Sequence, residues 1–400
     1  MNSHPSFWSD PQYSPRPPHE GAKTTDILII GGGITGVSAA LSLAEAGHPP
    51  VLLEKERLAS GASGRNAGFL IAGTAEYYHR VRESLGRHRA SMLWRHADES
   101  HEIIREWSGS YDFTCGYERT GSLVLAGSDG EFREIREAVR SLNADGFDAE
   151  LVSSGELHEW GTAPETFAGG YFVSSDGVVN PAALVRELAM AAERRGVQIS
   201  EDTEVLDLSE TTDGSVRAVT HAGTVEAQIA LVATNAYLPQ LNILDGIIFP
   251  VRGQMLATEE LPPAVSVPCY ANFGYEYFRQ LPDGRLLAGG MRQTHPGAES
   301  TYDLTPAPEI QSRLNDYVKR LLRQEKMPNI SHRWAGIMGF STDGLPVIGH
   351  VMRSNRIFIA AGFTGHGMSL APKIASMVST ILIEGAHPEA SLYSIRRFLN

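Results

Sequence analysis

This chain reads as an α/β (α+β) protein, a discontinuous Rossmann-like domain interrupted by a mainly antiparallel β-sheet domain. Three features carry that reading. A strand, a glycine turn and a small-residue helix open the chain; strand-like runs parted by Gly, Pro and Asp turns fill its middle; α/β character returns near the C-terminus.

The elements follow in order. Residues 26–30 are apolar and β-prone and predict the first strand; Gly31 to Gly36 follow, then a helix over 37–46 closed by Gly47, then a strand over 51–54. Parallel strands joined by a crossover helix are covered on both faces, so further α/β material has to follow. Residues 181–195 supply it as an amphipathic helix with Pro181 in its first turn, ended by Gly196 and leading to a short strand over 197–200. Runs at 123–126, 247–258, 275–281 and 286–290 predict the strands of the second domain. Residues 356–361 predict another strand of the first domain, followed by a glycine-rich turn and a helix from about residue 368 to 383. The expected division is an irregular N-terminal arm over 1–25, a nucleotide domain built from 26–107, 150–236 and 331–400, and a substrate domain from 108–149 and 237–330.

Composition narrows the function. A formal net charge of -13 with dispersed Lys and Arg gives no attraction to phosphate backbones, so nucleic acid is not an expected partner. Cys115 and Cys269 lie far apart, with no second Cys or His at metal spacing, so no metal is expected. No run reaches the roughly 20 apolar residues of a membrane span, and the arm has no apolar leader core, so a cytoplasmic protein is expected.

Gly31-Gly32-Gly33-Ile34-Thr35-Gly36 supplies G-x-G-x-x-G between a strand and a helix. Gly31 makes the turn, Gly33 lets backbone approach a pyrophosphate, and Gly36 admits close helix packing, with Ile34 and Thr35 in the same cradle. About twenty residues on, Glu54 ends the next strand beside Lys55, where a carboxylate accepts both ribose hydroxyls and repels a 2′-phosphate. This pattern argues against NADP and leaves NAD and FAD open.

Further runs carry a resemblance. They are Ala59-Ser60-Gly61-Ala62-Ser63-Gly64-Arg65-Asn66-Ala67-Gly68, Val232-Ala233-Thr234-Asn235-Ala236-Tyr237, Arg252-Gly253-Gln254, Trp334-Ala335-Gly336-Ile337 with Asp343-Gly344-Leu345-Pro346-Val347-Ile348-Gly349, and Ala361-Gly362-Phe363-Thr364-Gly365-His366-Gly367-Met368. Together, in this order over nearly the whole chain, they resemble the D-amino-acid oxidase superfamily of FAD-dependent oxidoreductases. Within it the look is that of γ-glutamylputrescine oxidoreductase-like and glycine oxidase-like enzymes, with Phe7-Trp8 before the first strand adding to the first. The resemblance implies FAD in an extended pose and a substrate held over its ring by the sheet domain. It implies that Ser63, Arg65, Asn66 and Ala67 line the flavin side, that Val205 meets the adenine end, that Thr234 and Asn235 belong to the cofactor site, and that Gly362 and Gly365 to Met368 sit by the flavin pyrimidine. A turn of exposed N–H groups at a helix start suits the negative charge that this end of the flavin develops, and His366 is expected to add to it.

The flavin carries the hydride step, so the pocket decides the substrate. By the resemblance, glycine oxidase-like enzymes place an Arg after Trp-Ala-Gly-Ile to clamp an α-carboxylate, and this chain has Met338. Sarcosine oxidase-like enzymes place a Lys after the Gly-His-Gly turn, and this chain has Ser369. A carboxylate without a partner costs several kcal/mol, and at about 1.4 kcal/mol per decade that is hundreds-fold in binding. An amine without an α-carboxylate is therefore the expected substrate. The alternative is a D-amino-acid or N-methyl-amino-acid oxidase or dehydrogenase in which Arg292, or one of Arg252, Arg279 and Arg333, replaces the clamp. Tyr277 and its neighbours Tyr270, Phe273, Tyr275 and Phe278 offer aromatic walls, alternate ones facing the core. Gly336 stands where sarcosine oxidase-like enzymes attach FAD through Cys, and residues 60–68 hold no His, so FAD is expected to be non-covalent. Ala288 stands in place of their oxygen-activating Lys, which leaves O2 and another electron acceptor both open.

Overall fold

The computed structural model describes residues 4–161, 166–244, 246–352 and 354–398. Its first sheet has the order Val347–His350, Ile357–Ala361, Gly223–Val232, Gly21–Ile30, Val51–Leu53, Gln198–Ser200. Neighbours run parallel except at the Val347–His350 edge. Val205–Glu210 and Val216–Thr220 extend the sheet as an antiparallel ribbon off Gly223–Val232. The apolar run of the first strand is explained by burial on both sides. Ile27 and Ile29 enter the core shared with helices Ile34–Glu45, Pro181–Arg194 and Gly367–Glu384, while Leu28 and Ile30 enter the opposite core with Val216, Val225 and Leu238. Pro181 opens its helix where a missing N–H costs nothing, and the Asn180 side chain accepts from Ala183 N at 3.1 Å.

The second sheet has the order Ile330–Ser341, Ile248–Glu260, Arg285–Gly290, Glu276–Gln280, Cys269–Ala271, Ser122–Ala126, Gly169–Val173, Glu150–Ser153. It is antiparallel apart from the Cys269–Ala271 and Ser122–Ala126 pair. One face buries Leu256, Phe278, Leu286 and Ala288 against Leu314 and Tyr317 of helix Pro308–Leu321. The other turns Met255, Ala257, Leu287 and Trp334 toward Ala67 and Phe69, next to the first domain.

Three expected boundaries move. The first strand begins at Gly21, paired with Gly223, so the irregular arm ends at residue 20. Glu150–Ser153 and Gly169–Val173 pair in the second sheet, so the boundary expected at 150 falls after 173. Ile330–Ser341 pairs with Ile248–Glu260 along its length, so the boundary expected at 331 falls after 341. Tertiary pairing, invisible in local pattern, decides each case. The arm is laid across the molecule: Ser6 Oγ donates to Gly64 O at 2.8 Å, Trp8 Nε1 to Asn66 O at 2.8 Å, and Tyr13 OH to the buried Glu201 at 2.9 Å. Its first three residues lie outside the described ones. Among the described residues, no helix is long and apolar enough to cross a membrane.

Candidate active site

At the glycine turn the chain approaches itself more closely than side chains allow. A Cβ on Gly36 would stand 1.9 Å from Gly31 O, and one on Gly31, at φ 111°, would stand 2.8 Å from Ala233 O. Helix Ile34–Glu45 starts with no side-chain cap at Gly33, and Ser63 Oγ accepts from Ile34 N at 2.9 Å. Glu54 is half-buried, with Oε2 accepting from Gly32 N at 2.6 Å and Oε1 from Glu56 N at 2.9 Å. Burial pushes its carboxyl up to about 7 against the pull of those two N–H groups. Thr203 N donates to Glu54 O at 2.8 Å, which brings the chain just before Val205 alongside. Lys55 turns outward to Glu204 at 2.7 Å. Thr234 Oγ1 is buried without a partner, and Asn235 Oδ1 accepts from Gly362 N at 2.9 Å, tying the two turns together.

The residue 59–68 segment runs from this turn toward the second sheet. Asn66 braces it, donating to Ala62 O and Ser63 O at 2.9 Å each and accepting from Gly68 N at 2.7 Å. Arg65 is buried, with Nε donating to Ala335 O and Nη2 to His4 O, while its own carbonyl accepts from Trp334 Nε1 at 2.9 Å. Its guanidinium is thus partly spent on backbone carbonyls. Opposite lies the turn 362–366, with left-handed Gly362, Thr364 and Gly365, leading into helix Gly367–Glu384, whose start has no side-chain cap.

Between these segments and the second sheet lies a cavity of about 130 Å³. Asn66, Ala67, Tyr277, Arg292, Met338, Gly365, His366, Met368 and Ser369 all line it. The Ile330–Ser341 strand presents every second residue to this side. Gly336 lies against Arg65, where a Cβ would come within 2.9 Å of its Cβ; Met338 Sδ lies 3.7 Å from a Cβ placed on Gly365; Phe340 carries the Arg292 guanidinium 5.7 Å from its ring centre. Ser369 Oγ accepts from Ile71 N at 2.8 Å and offers the cavity no charge. A family model described as FAD dependent oxidoreductase (DAO) matches residues 26–381.

The chain belongs to this family of FAD-dependent oxidoreductases. It is similar to γ-glutamylputrescine oxidoreductase of Escherichia coli K12, 29% identical over 399 residues that cover 96% of this chain and 90% of that protein. Glycine oxidase of Geobacillus kaustophilus is 26% identical over 362 residues, covering 89% and 92%. Among solved structures, L-proline dehydrogenase from P. horikoshii superposes with a TM-score of 0.79 at 25% identity, covering 94% of this chain and 98% of that one.

The residues present fit FAD. The glycine cradle, the start of helix Ile34–Glu45, the half-buried Glu54 and the unsatisfied Thr234 hydroxyl follow the C-terminal ends of the parallel strands Gly21–Ile30, Val51–Leu53 and Gly223–Val232, where such ligands bind. Burial pushes the His366 ring down to about 4, with the Thr364 carbonyl opposing and Arg292 lowering it further. Its Nδ1 lies 3.2 Å from Thr364 O, a contact that favours the tautomer with the proton on Nδ1. Ala288 packs with Leu256 and Phe278 on the helix side of the sheet, and Leu287 and Gly289 face the opposite side, toward Phe69 and Tyr277. A one-residue difference in register switches faces.

Of the aromatic run, Tyr270, Phe273 and Tyr277 line the cavity, Phe278 is core, and Tyr275 lies under Arg292 at 4.7 Å. Phe69, Tyr77, Trp94 and Tyr171 also line it, and nothing in their local sequence singles them out. The other arginines are occupied. Arg252 binds Glu299 at 2.8 Å, Arg279 donates to Gly68 O and Val179 O over the Trp8 ring, and Arg333 donates to Gln311 and Asn315.

Proposed function

We propose that this FAD-dependent oxidoreductase oxidises a C–N bond of an amine that has no carboxylate on the reacting carbon. The observation that carries the reading is the pair Met338 and Ser369. The first is a thioether in the cavity wall beside the Gly365 turn, and the second is a hydroxyl spent on Ile71 N. An α-carboxylate beside them would lose its water and gain no cation from either of these two side chains. Relatives named for γ-glutamylputrescine and glycine agree with a nitrogen-bearing substrate.

When bound, FAD would supply the hydride acceptor for the carbon that bears the nitrogen. The protein's part is orientation and dielectric. Phe69, Tyr270 and Tyr277 meet edge to face or tilted, at ring distances of 5.4 to 6.3 Å, and form a stiff apolar wall that excludes water. A cavity of about 130 Å³ is close to one of about 150 Å³ that holds benzene, so it admits a small aliphatic reacting end. Uncharged His366 offers Nε2 as an acceptor for an amine N–H. The imine product then hydrolyses in water, and the electrons pass to O2 or another acceptor.

The test is anaerobic mixing of FAD-loaded protein with primary and secondary amines, and separately with glycine, sarcosine and D-alanine. Bleaching of the visible flavin band by amines is expected. Bleaching by the amino acids alone would refute the assignment. FAD is held without a covalent bond: acid precipitation is expected to leave it in the supernatant.

A further inference from the structure

We infer that Arg292 is a specificity-determining residue that grips a carboxylate at the end of the substrate remote from the oxidised bond. In its simplest form the substrate is then an ω-amino acid. This inference rests on the amine reading above and adds the chemistry of the other end.

The turn that carries Arg292 is built to expose it. Gly290 has φ 121°, and a Cβ there would stand 1.9 Å from Tyr275 O; Met291 follows in the left-handed region at φ 65°. The chain thereby leaves the strand abruptly and delivers Arg292 to the cavity wall. Its guanidinium stacks on Tyr275 at 4.7 Å and Phe340 at 5.7 Å. Among the described residues no carboxylate pairs with it and no acceptor takes its N–H groups. Arg252, Arg279 and Arg333, in the same sheet, each spend guanidinium N–H groups on protein acceptors, whereas Arg292 presents its fork to the cavity. A single planar guanidinium matches one carboxylate, in charge and in bidentate geometry, better than a dianion.

The position along the strand sets where that carboxylate lies. Met338 stands beside the Gly365 turn, and Phe340, under Arg292, is the next residue on the same face. Two residues of strand advance about 7 Å. With C–C bonds of about 1.5 Å, a chain of roughly four or five methylenes, the amine carbon included, spans that distance to a carboxylate on Arg292.

The experiment titrates the FAD-loaded wild type, Arg292→Met and Arg292→Lys with pentanoate and hexanoate, following perturbation of the flavin spectrum. It then mixes each protein anaerobically with 5-aminopentanoate, 6-aminohexanoate, pentylamine and hexylamine. Arg292→Met is expected to weaken the carboxylates and amino acids about 100-fold, with Arg292→Lys intermediate and the alkylamines changed less than threefold, as loss of one charge-assisted pair requires. Equal carboxylate binding by wild type and Arg292→Met overturns the inference, as does an equal loss for carboxylates and alkylamines. If carboxylates bind through Arg292 but no amine bleaches the flavin, the amine reading fails while the anion site stands.

Discussion

Glu54 shows how far a single residue can be read. Its place, about one βαβ step after the glycines, is visible in the sequence, but its proton affinity depends on the cleft that encloses it. With ribose absent, its carboxyl is raised to about 7 from an ordinary 4.5. Donation from two ribose hydroxyls favours the charged form and lowers that value, so FAD binding releases a proton between the lowered value and about 7. FAD affinity is therefore expected to fall as pH drops below about 7, by up to tenfold per unit. Glu54→Gln should flatten the profile, and fluorescence titration of free FAD from pH 5 to 8 measures both. His366 illustrates the reverse. Its neighbours in sequence suggest a cation, but a wall position with Arg292 nearby leaves it neutral, and only the fold brings those two together. Met338 makes the sharper substitution test. Met338→Arg is expected to shift the ratio of flavin-reduction efficiencies toward glycine and sarcosine by about tenfold or more, the scale of one new charged hydrogen bond.

At the scale of elements, the strand, glycine turn and helix are legible because their constraints are local. Gly36 has no room for a methyl group, and Gly36→Ala is expected to cost about 1–3 kcal/mol in urea unfolding together with weaker FAD binding. The strand start at Gly21 and the pairing of Glu150–Ser153 with Gly169–Val173 are not legible. Residues 21–25 read as polar, and their hydrogen bonds go to residues 223–227, about two hundred positions away. The arm is another element whose role arises only in three dimensions. His4, Ser6 and Trp8 hold the backbone or side chains of Arg65, Gly64 and Asn66, the segment beside the cavity. Deleting residues 1–9 is expected to raise the FAD dissociation constant about tenfold, on the scale of one or two lost hydrogen bonds. An unchanged constant would make the arm a passive cover.

Across the whole molecule, the site proposed for FAD and substrate lies where the two sheets face each other. The parallel sheet supplies uncapped helix starts and a carboxylate, and the antiparallel sheet supplies aromatic walls and one unpaired guanidinium. Ile330–Ser341 joins them, pairing with Ile248–Glu260 and touching Phe363 of the turn at 362–366 through Phe340. The division into two textures was readable from period and turn residues, but the seam was not, because that strand looks the same whichever sheet accepts it. The central claim is that this site draws hydride from an amine carbon lacking a carboxylate. Anaerobic stopped-flow reduction of the bound flavin tests it most directly: amines bearing a distal carboxylate should bleach it with an efficiency at least about a hundredfold above glycine, sarcosine or D-alanine. Equal or faster bleaching by the α-amino acids would contradict it.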